Sequence, residues 1–395
     1  MRDIRFFNGF SGAVKLPSMG RPLIKNGRRI GRNILDATGD YEEQVLSVIS
    51  GRQLHRIDIY PNADYKTGIY KASEAAPGIE PIFYKCENLI PYGKEYWFAI
   101  FTSMDKKKNP MQLIVTFGRR NSRKSVIDNV EILGDSPGNG TTRMGGFAWC
   151  YDGRKKLVVP TVETMTSVTD HSIVSAGEGL SIDISGNVPQ FRVRVDSNAI
   201  KCDFSLTKPA SGYDTEVLNE LKMRLNYQVY NLYYDFTGTL NGREYSGRCY
   251  LQKVILMTPM VPWYWSRFEF RDGSYFVFFK PYFGSRDMNY SLRNKGAFYS
   301  ASEDKLYWVY NIDVKHDNLM KSWKITSKGN GYSLAVVART YADHGFNFRH
   351  GGIFNYNEHM VNVTKFDFKA DGRKVNLRKL GTGAGIVEEA TGLLI

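Results

Sequence analysis

Three cationic side chains lie inside apolar, strand-like runs in the second half of the chain. They are Lys253, Arg267 and Lys280. A buried cation of this kind can bind a carboxylate or polarise a carbonyl, and a desolvated lysine can act as a base because burial lowers its pKa. We predict catalytic roles for the two lysines and ligand binding for the arginine. The alternative is that each faces solvent, because successive side chains of a strand point to opposite faces.

Aromatic residues make up 14% of the 395 residues, and many lie in predicted strands. A barrel of about eight strands either fills its interior with side chains or encloses one ligand. Trp263 and Trp265 are two residues apart, so on a strand they share a face. The aromatic side chains predicted to line a ligand cavity are Trp97, Trp263, Trp265, Tyr282, Trp308 and Trp323. The alternative for each is ordinary core packing.

Motifs for metals and cofactors are not evident. His344, His350 and His359, with Glu358 adjacent, superficially suggest a metal site, but neither His-x-His nor HExxH occurs. The GTGAG stretch at 381–385 is not followed by a strand–helix unit, and no phosphate-binding loop is present. The sequence therefore predicts no metal and no cofactor.

Charge and cysteine content indicate where the protein acts. The 53 Lys and Arg against 40 Asp and Glu give a net charge of +13, but the basic clusters fall at predicted turns. Lysines at turns commonly prevent edge-to-edge pairing of strands, so a nucleic-acid partner is disfavoured. A basic surface can also bind an anionic membrane, and peripheral contact with such a membrane is the other partner we consider. No CxxC pair and no secretory signal occur. We predict free thiols and a cytoplasmic location.

Period-two alternation dominates from residue 80 onward and predicts antiparallel strands separated by Asn-Gly and Asp-Gly turns. Two segments, Asp40–Leu54 and Asp214–Asn226, have helical spacing of apolar residues after an Asp cap. Two hairpins beginning at Tyr96-Trp97 and Tyr264-Trp265 form an internal repeat with an offset of about 168 residues. We predict an all-β protein with an N-terminal extension with one helix at 1–55 and β-barrels at 56–225 and 226–395.

Several landmarks then occur in a recognisable order. They are Glu95-Tyr96-Trp97-Phe98, Gly247-Arg248-Cys249-Tyr250, Trp263-Tyr264-Trp265 before Asp272-Gly273, and the terminal Gly383, Gly385, Glu388, Thr391 and Gly392. This order resembles the tandem lipocalin-like family of carotenoid 1,2-hydratases (hydroxyneurosporene synthases) and AttH-like proteins, which is related to Diels–Alderase-type cyclases. The resemblance implies two lipocalin-like (calycin-like) antiparallel barrels. It also implies a ligand-binding role for Tyr250 and a catalytic role for Glu388.

The chain departs from the hydratases at the residues that matter for chemistry. Lys253 stands about where they carry a histidine, and Lys280 where they carry an aspartate, so the hydratase acids are not matched. We predict that the protein binds and transforms a hydrophobic isoprenoid-, lipid- or polyketide-like molecule in a barrel cavity, as a cofactor-free hydratase, cyclase or isomerase. The alternatives are a non-catalytic lipid or pigment carrier, and a structural or partner-binding β protein with filled barrels.

Overall fold

A computed structural model of the chain describes residues 68–72, 81–87, 89, 91–103, 109–134, 140–222, 225–256, 259–284, 289–291 and 294–394. The predicted extension at 1–55 and its helix lie outside these residues. Antiparallel strands dominate the described part, and the predicted all-β barrel class is confirmed.

Fourteen strands lie in the first part of the described chain. Their bounds are β1 (Gly68–Lys71), β2 (Lys94–Ser103), β3 (Gln112–Arg120), β4 (Lys124–Ile127), β5 (Val130–Leu133), β6 (Thr141–Tyr151), β7 (Lys156–Thr169), β8 (Ser172–Gly177), β9 (Leu180–Asn187), β10 (Gln190–Ser197), β11 (Lys201–Thr207), β12 (Tyr213–Lys222), β13 (Leu225–Leu240) and β14 (Arg243–Leu256). Among them, ten strands form the first barrel: β2, β3, β6 to β11, β13 and β14. The ring closes because β14 pairs with both β13 and β2.

Eleven strands follow in the second part of the described chain. Their bounds are β15 (Trp263–Phe270), β16 (Tyr275–Gly284), β17 (Asn289–Ser291), β18 (Lys295–Ser300), β19 (Lys305–Tyr310), β20 (Asp313–His316), β21 (Ser322–Gly329), β22 (Tyr332–Arg349), β23 (Gly352–Ala370), β24 (Arg373–Asn376) and β25 (Gly383–Leu394). A second large sheet runs in the order β19, β18, β16, β15, β25, β23, β22, β21, β20, with the β4–β5 hairpin attached to β22. Its two ends approach each other where the backbone N–H of Tyr310 on β19 donates to the hydroxyl of Tyr332 on β22, and we call this curved sheet the second barrel. Short helices occupy Pro81–Phe83, Ala301–Glu303 and Leu377–Leu380.

Alternate side chains of these strands fill the interiors of both barrels. In the first barrel the rings of Phe101 and Phe204 lie 4.8 Å apart. In the second, the rings of Phe298 and Phe366 lie 5.0 Å apart, and Trp323 is fully buried. Burial of aromatic area is the largest favourable contribution such cores make to folding.

The outward faces of the two barrels pack on each other through a second apolar layer. We call it the interface layer; its buried members are Phe98, Ile100, Ile114, Phe147, Trp149, Tyr233 and Tyr250 from the first barrel and Trp265, Ala342, Phe346, Met360 and Ile386 from the second. The rings of Phe147 and Phe346 stack across it with centroids 3.9 Å apart. Strands that contribute to this layer are therefore apolar on both faces, which explains their near-continuous hydrophobic sequences.

Two expectations about organisation differ from the structure. The helix predicted over Asp214–Asn226 is wrong: this segment contributes most of β12, which is hydrogen-bonded to β1 on one side and β13 on the other. Pairing along both edges outweighs the local helical spacing, because it satisfies the backbone donors and acceptors equally well. The residues from 226 to 256, placed in the second barrel, belong to β13 and β14 and complete the first one.

The repeated Tyr-Trp segments form equivalent hairpins. The β2–β3 hairpin and the β15–β16 hairpin each place their first strand beside the last strand of the same barrel, β14 and β25 respectively. All four cysteines are buried and none forms a disulfide, as expected. No helix in the described ranges is long and apolar enough to span a membrane.

Candidate active site

Four neighbouring strands of the second barrel place a row of side chains in the interface layer. Trp265 on β15 lies opposite Glu388 on β25, Glu388 lies opposite Glu358 on β23, and Glu358 lies opposite His344 on β22. Directly opposed residues of antiparallel strands have Cβ atoms about 4.5–5.5 Å apart. Two carboxyl groups are thus neighbours in a predominantly apolar layer, with an imidazole beside them.

The carboxyl pair is withdrawn from water. Glu358 is fully buried and Glu388 is 6% exposed. Burial, together with the negative charge of Glu388, raises the pKa of Glu358 to about 8. Burial raises the pKa of Glu388 to about 7. Because the two groups interact, the pair titrates as a unit and carries at least one proton at neutral pH.

Aromatic donors hold the two carboxyls in place. The indole Nε1–H of Trp149, from the first barrel, donates to Oε2 of Glu358, and that of Trp263 donates to Oε2 of Glu388 at 3.1 Å. The hydroxyl of Tyr356 acts on both carboxyls and lowers their pKa values. Within the described residues, Oε1 of Glu358 has no hydrogen-bond partner.

The imidazole at the end of the row is neutral. Burial and the charge of Lys156 lower the pKa of His344 to about 4. Its ring lies 5.7 Å from that of Trp149 and 4.6 Å from that of Phe346. His344 therefore adds a polar but uncharged group beside Glu358.

A cleft continues the same face at the other end of β15. Arg267 lies there, 6% exposed, with its guanidinium 4.0 Å from the ring centroid of Tyr233 and 4.3 Å from that of Tyr275. Its Nε donates to Oε1 of Glu269 at 2.5 Å. The cleft is small, with an accessible volume of about 20 Å³, which is room for about one water molecule.

The structure brings together five of the residues selected from the sequence. Tyr250, Trp263, Trp265, Arg267 and Glu388 all lie on the faces that meet between the barrels. The rings of Tyr250 and Trp265 are 5.4 Å apart. The charge of Arg267 lowers the pKa of the Tyr250 hydroxyl, and the charge of Glu388 raises it. Tyr250 is therefore close to both the cleft and the carboxyl pair.

Lys253 and Trp97 lie elsewhere, inside the first barrel. Nζ of Lys253 is 2.5 Å from Oε1 of Glu95 and 3.0 Å from the ring centroid of Trp97. Burial lowers the pKa of Lys253 to about 7, against the opposing charge of Glu95. This lysine is therefore buried, which the sequence left open, but its partner is a carboxylate of the core and it is not in the interface layer.

Lys280, Tyr282 and Trp308 are also separate from the carboxyl pair. Lys280 lies opposite Tyr264, on the inner face of the second barrel, and burial lowers its pKa. Tyr282 stacks on Tyr264 with centroids 5.4 Å apart. Trp308 is 40% exposed on the outside, with the Lys295 ammonium 3.4 Å from its ring centroid.

The sequence reasoning missed Glu358, Tyr356 and Trp149 as members of a site. Glu358 appeared there only as the neighbour of a histidine. Its alternation with Tyr356 on β23 was a usable signal, since residues two apart share a face. The opposition of Glu358 to Glu388, however, depends on the register of β23 against β25.

Comparison with solved structures finds proteins of similar architecture. An AttH-like protein from Nitrosomonas europaea matches with a TM-score of 0.47 and 11% identity, over 75% of this chain and 92% of that chain. CghA with Sch210972 matches with a TM-score of 0.48 and 10% identity, over 81% and 93% of the two chains. Kievitone hydratase from Nectria haematococca matches with a TM-score of 0.42 and 11% identity, over 76% and 89%. The matches thus include an AttH-like protein, as the motifs predicted. No family profile and no curated protein matches the sequence.

Proposed function

We propose that this protein binds a hydrophobic isoprenoid- or polyketide-like molecule between its two barrels and transforms it by proton transfer. The observation that carries the proposal is the buried, directly opposed pair Glu358 and Glu388. A shared proton in a water-poor aromatic layer is what acid–base chemistry on an apolar substrate requires. The proposed site is therefore at the interface and not in a barrel cavity.

The surroundings of the two carboxyls assign them different roles. Glu358 has an Oε1 without a hydrogen-bond partner in the described part of the chain, so it is the proton donor. Glu388, directly opposite, is then the base. Each carboxyl also accepts a hydrogen bond from an indole, Glu358 from Trp149 and Glu388 from Trp263.

The proton transfers balance within the pair. The O–H bond of Glu358 breaks as the π electrons of a substrate double bond form a new C–H bond, which leaves a cationic centre. Isomerisation or cyclisation ends when a neighbouring C–H gives its proton to Glu388, and hydration ends when the attacking water does so. Exchange of the pair's proton with solvent between turnovers then restores the starting state, with the proton on Glu358. An acid with a pKa near 8 suits a polarised, conjugated double bond better than an isolated alkene.

A second candidate function is supported by the filled interiors of the barrels. Clusters that include Trp97 and Phe204 in the first barrel, and Phe268 and Trp323 in the second, occupy the space that a carrier would need. A structural or partner-binding protein is the function that this packing favours. In that case the buried carboxyl pair would lower the free energy of unfolding without contributing to chemistry.

The test is incorporation of solvent deuterium. The protein is incubated in D₂O with a panel of conjugated polyenes, polyprenyl ketones and linear polyketide-type dienones, and products are analysed by mass spectrometry. Proton transfer to carbon leaves one deuterium in the product of hydration, cyclisation or isomerisation alike. We expect labelling with at least one substrate class, and a loss of about 100-fold or more in Glu358→Gln and Glu388→Gln, the usual scale of general acid–base catalysis.

Glu389→Gln is the matched control. Glu389 is the next residue on β25, but it faces the interior of the second barrel, where the Tyr264 hydroxyl donates to it at 3.2 Å. This variant is expected to retain full labelling. Absence of label from every substrate class, with no small molecule in an organic extract of the purified protein, would favour the scaffold function instead.

A further inference from the structure

Arg267 has hydrogen-bonding capacity that the fold does not use. Its Nε donates to Glu269, but its Nη1 has no hydrogen-bond partner among the described residues, although the side chain is 6% exposed. An unsatisfied buried donor usually costs about 1–3 kcal/mol. The ring centroids of Tyr233 and Tyr275 lie 4.0 and 4.3 Å from the guanidinium and 5.9 Å from each other, so two adjacent rings restrict its orientation.

The charges around the cleft are already balanced. Glu269 neutralises Arg267 at 2.5 Å, and Asp235 neutralises Arg248 at 2.6 Å. Both arginines line the cleft. What remains unsatisfied is therefore a hydrogen-bond donor and not a positive charge. A neutral acceptor such as a carbonyl oxygen satisfies it without adding a negative charge to a low-dielectric site.

We propose that the cleft binds the carbonyl oxygen of a conjugated ketone through Nη1 of Arg267, which makes a conjugated carbonyl compound the substrate class of the carboxyl pair. This inference rests on the proposed function for the role of the pair, but the binding step stands on Arg267 alone. A cation hydrogen-bonded to the oxygen polarises the attached double bonds, and the weak acid Glu358 then suffices to protonate them.

The spacing of the two groups fits such a substrate. Arg267 is two residues from Trp265 on β15, or about 7 Å along the strand, and Trp265 lies opposite Glu388. Between them lie the buried, stacked rings of Tyr233 and Tyr250, with centroids 5.5 Å apart. A planar conjugated chain that packs beside these rings places its oxygen at Arg267 and a remote carbon at the carboxyl pair.

Binding of three matched probes tests the proposal. Benzalacetone is a conjugated ketone, cinnamate replaces its acetyl group with a carboxylate, and 1-phenyl-1-butene lacks the oxygen. Calorimetric titration should show benzalacetone binding more tightly than either of the others. Arg267→Lys keeps the charge but loses the planar fork, and we expect it to weaken benzalacetone binding about tenfold. Arg192→Lys, on the exposed surface, is the matched control.

A spectroscopic measurement on the unmodified protein covers the case in which Arg267→Lys does not fold. The infrared stretch of benzalacetone labelled with ¹³C at the carbonyl should shift to lower wavenumber on binding, because a charged donor weakens the C=O bond. An unshifted band, equal affinity for the hydrocarbon, or tighter binding of cinnamate would overturn the inference. Glu389→Gln, inside the second barrel, should leave ketone binding unchanged. Ketone binding without deuterium labelling would reject the proposed catalysis but retain the carbonyl-binding role of Arg267.

Discussion

Two buried carboxylate sites of this protein, Glu95 in the first barrel and Glu358 with Glu388 at the interface, have opposite surroundings. Glu95 receives Lys253 at 2.5 Å, Arg119 at 2.8 Å and the backbone N–H of Cys86 at 2.8 Å. Although burial opposes ionisation, these two cations hold its pKa below the usual value.

At the interface, no cation plays this part among the contacts that the structure describes. The two carboxyls face each other and receive indole and phenol donors, which lower their pKa values. Burial outweighs these donors and raises the pKa of both carboxyls, and the charge of Glu388 raises that of Glu358 further. A carboxylate that is fully paired stabilises the fold and is unreactive, whereas a pair held near its midpoint exchanges protons at neutral pH. Under the proposed function, this difference separates a structural charge from a catalytic one.

The largest effect on stability at a single pH is expected when the buried ion pair of Glu95 and Lys253 is broken. Lys253→Met preserves the length of the side chain but leaves Glu95 with one cation fewer in the core. Loss of one partner of a buried ion pair typically costs about 3–5 kcal/mol. We expect a fall of this order in the free energy of unfolding, measured by urea denaturation at pH 7.

A double variant shows whether the charge itself is responsible. Glu95→Gln with Lys253→Met removes both charges of the pair and should recover part of the lost stability. If Lys253→Met alone is as stable as the unmodified protein, pairing with Lys253 does not make Glu95 a structural charge, and the contrast with the interface carboxyls fails.

The contribution of Glu358 and Glu388 to stability should change with pH in the opposite sense to that of an ordinary ion pair. Both glutamates have folded pKa values, about 8 for Glu358 and about 7 for Glu388, above the value of about 4.3 in an unfolded chain. The folded state therefore binds more protons, so this contribution to stability is complete below pH 4 and is lost as pH rises through 7 to 8.

Glu358→Gln with Glu388→Gln should abolish that loss. Relative to this variant, the unmodified protein is expected to lose on the order of 6 kcal/mol between pH 5 and pH 8, because the two groups together span between four and five pKa units at about 1.4 kcal/mol per unit. Urea midpoints at the two pH values provide the measurement. Parallel pH profiles for the two proteins would mean that the carboxyls are ionised and solvated in the fold.

The strands were predictable from local pattern, but the site depended on how they pair. Alternation in segments such as Leu180–Asn187 predicted strands directly, because one face is buried and the other is wet. In β12 a helical spacing was misleading because two neighbouring strands supply the backbone partners. Local spacing does not contain that information.

The same limit applies to the functional side chains. Alternation could not tell whether Lys253 faces the core or solvent, and the structure places it inside the first barrel. The meeting of Glu358 and Glu388 requires the register of two strands joined through a further strand and a helix, and a slip of one residue would separate them. Trp149 joins the site only because the barrels dock.

A smaller effect is expected from the hydrogen bond that crosses the interface. Trp149→Phe keeps an aromatic ring but removes the donor to Glu358. Since this hydrogen bond lowers the pKa of Glu358, its loss should raise that pKa further, by less than one unit for a bond worth about 1 kcal/mol. Infrared titration of the protonated carboxyl band measures the change.

Trp97→Phe is the matched control for this measurement. Trp97 also donates from Nε1, but to the backbone oxygen of Ile82 at 2.7 Å inside the first barrel. It should leave the titration of Glu358 unchanged. Equal shifts in the two variants would indicate a general loosening of the protein and not the removal of one donor.

The smallest effect is expected at an exposed ion pair, which separates pairing from burial. Arg192 donates to Asp203 from Nε at 2.6 Å. The carboxylate of Asp203 is therefore paired with a cation, as that of Glu95 is, but both side chains of this pair are largely in water. Solvent screens such a pair, and its formation costs side-chain entropy. Arg192→Gln should therefore leave the urea midpoint unchanged at low and at high salt. A shift comparable to that of Lys253→Met would mean that pairing alone, wherever it occurs, stabilises this fold; an unchanged midpoint identifies burial as the property that makes Glu95 structural and leaves Glu358 and Glu388 available for chemistry.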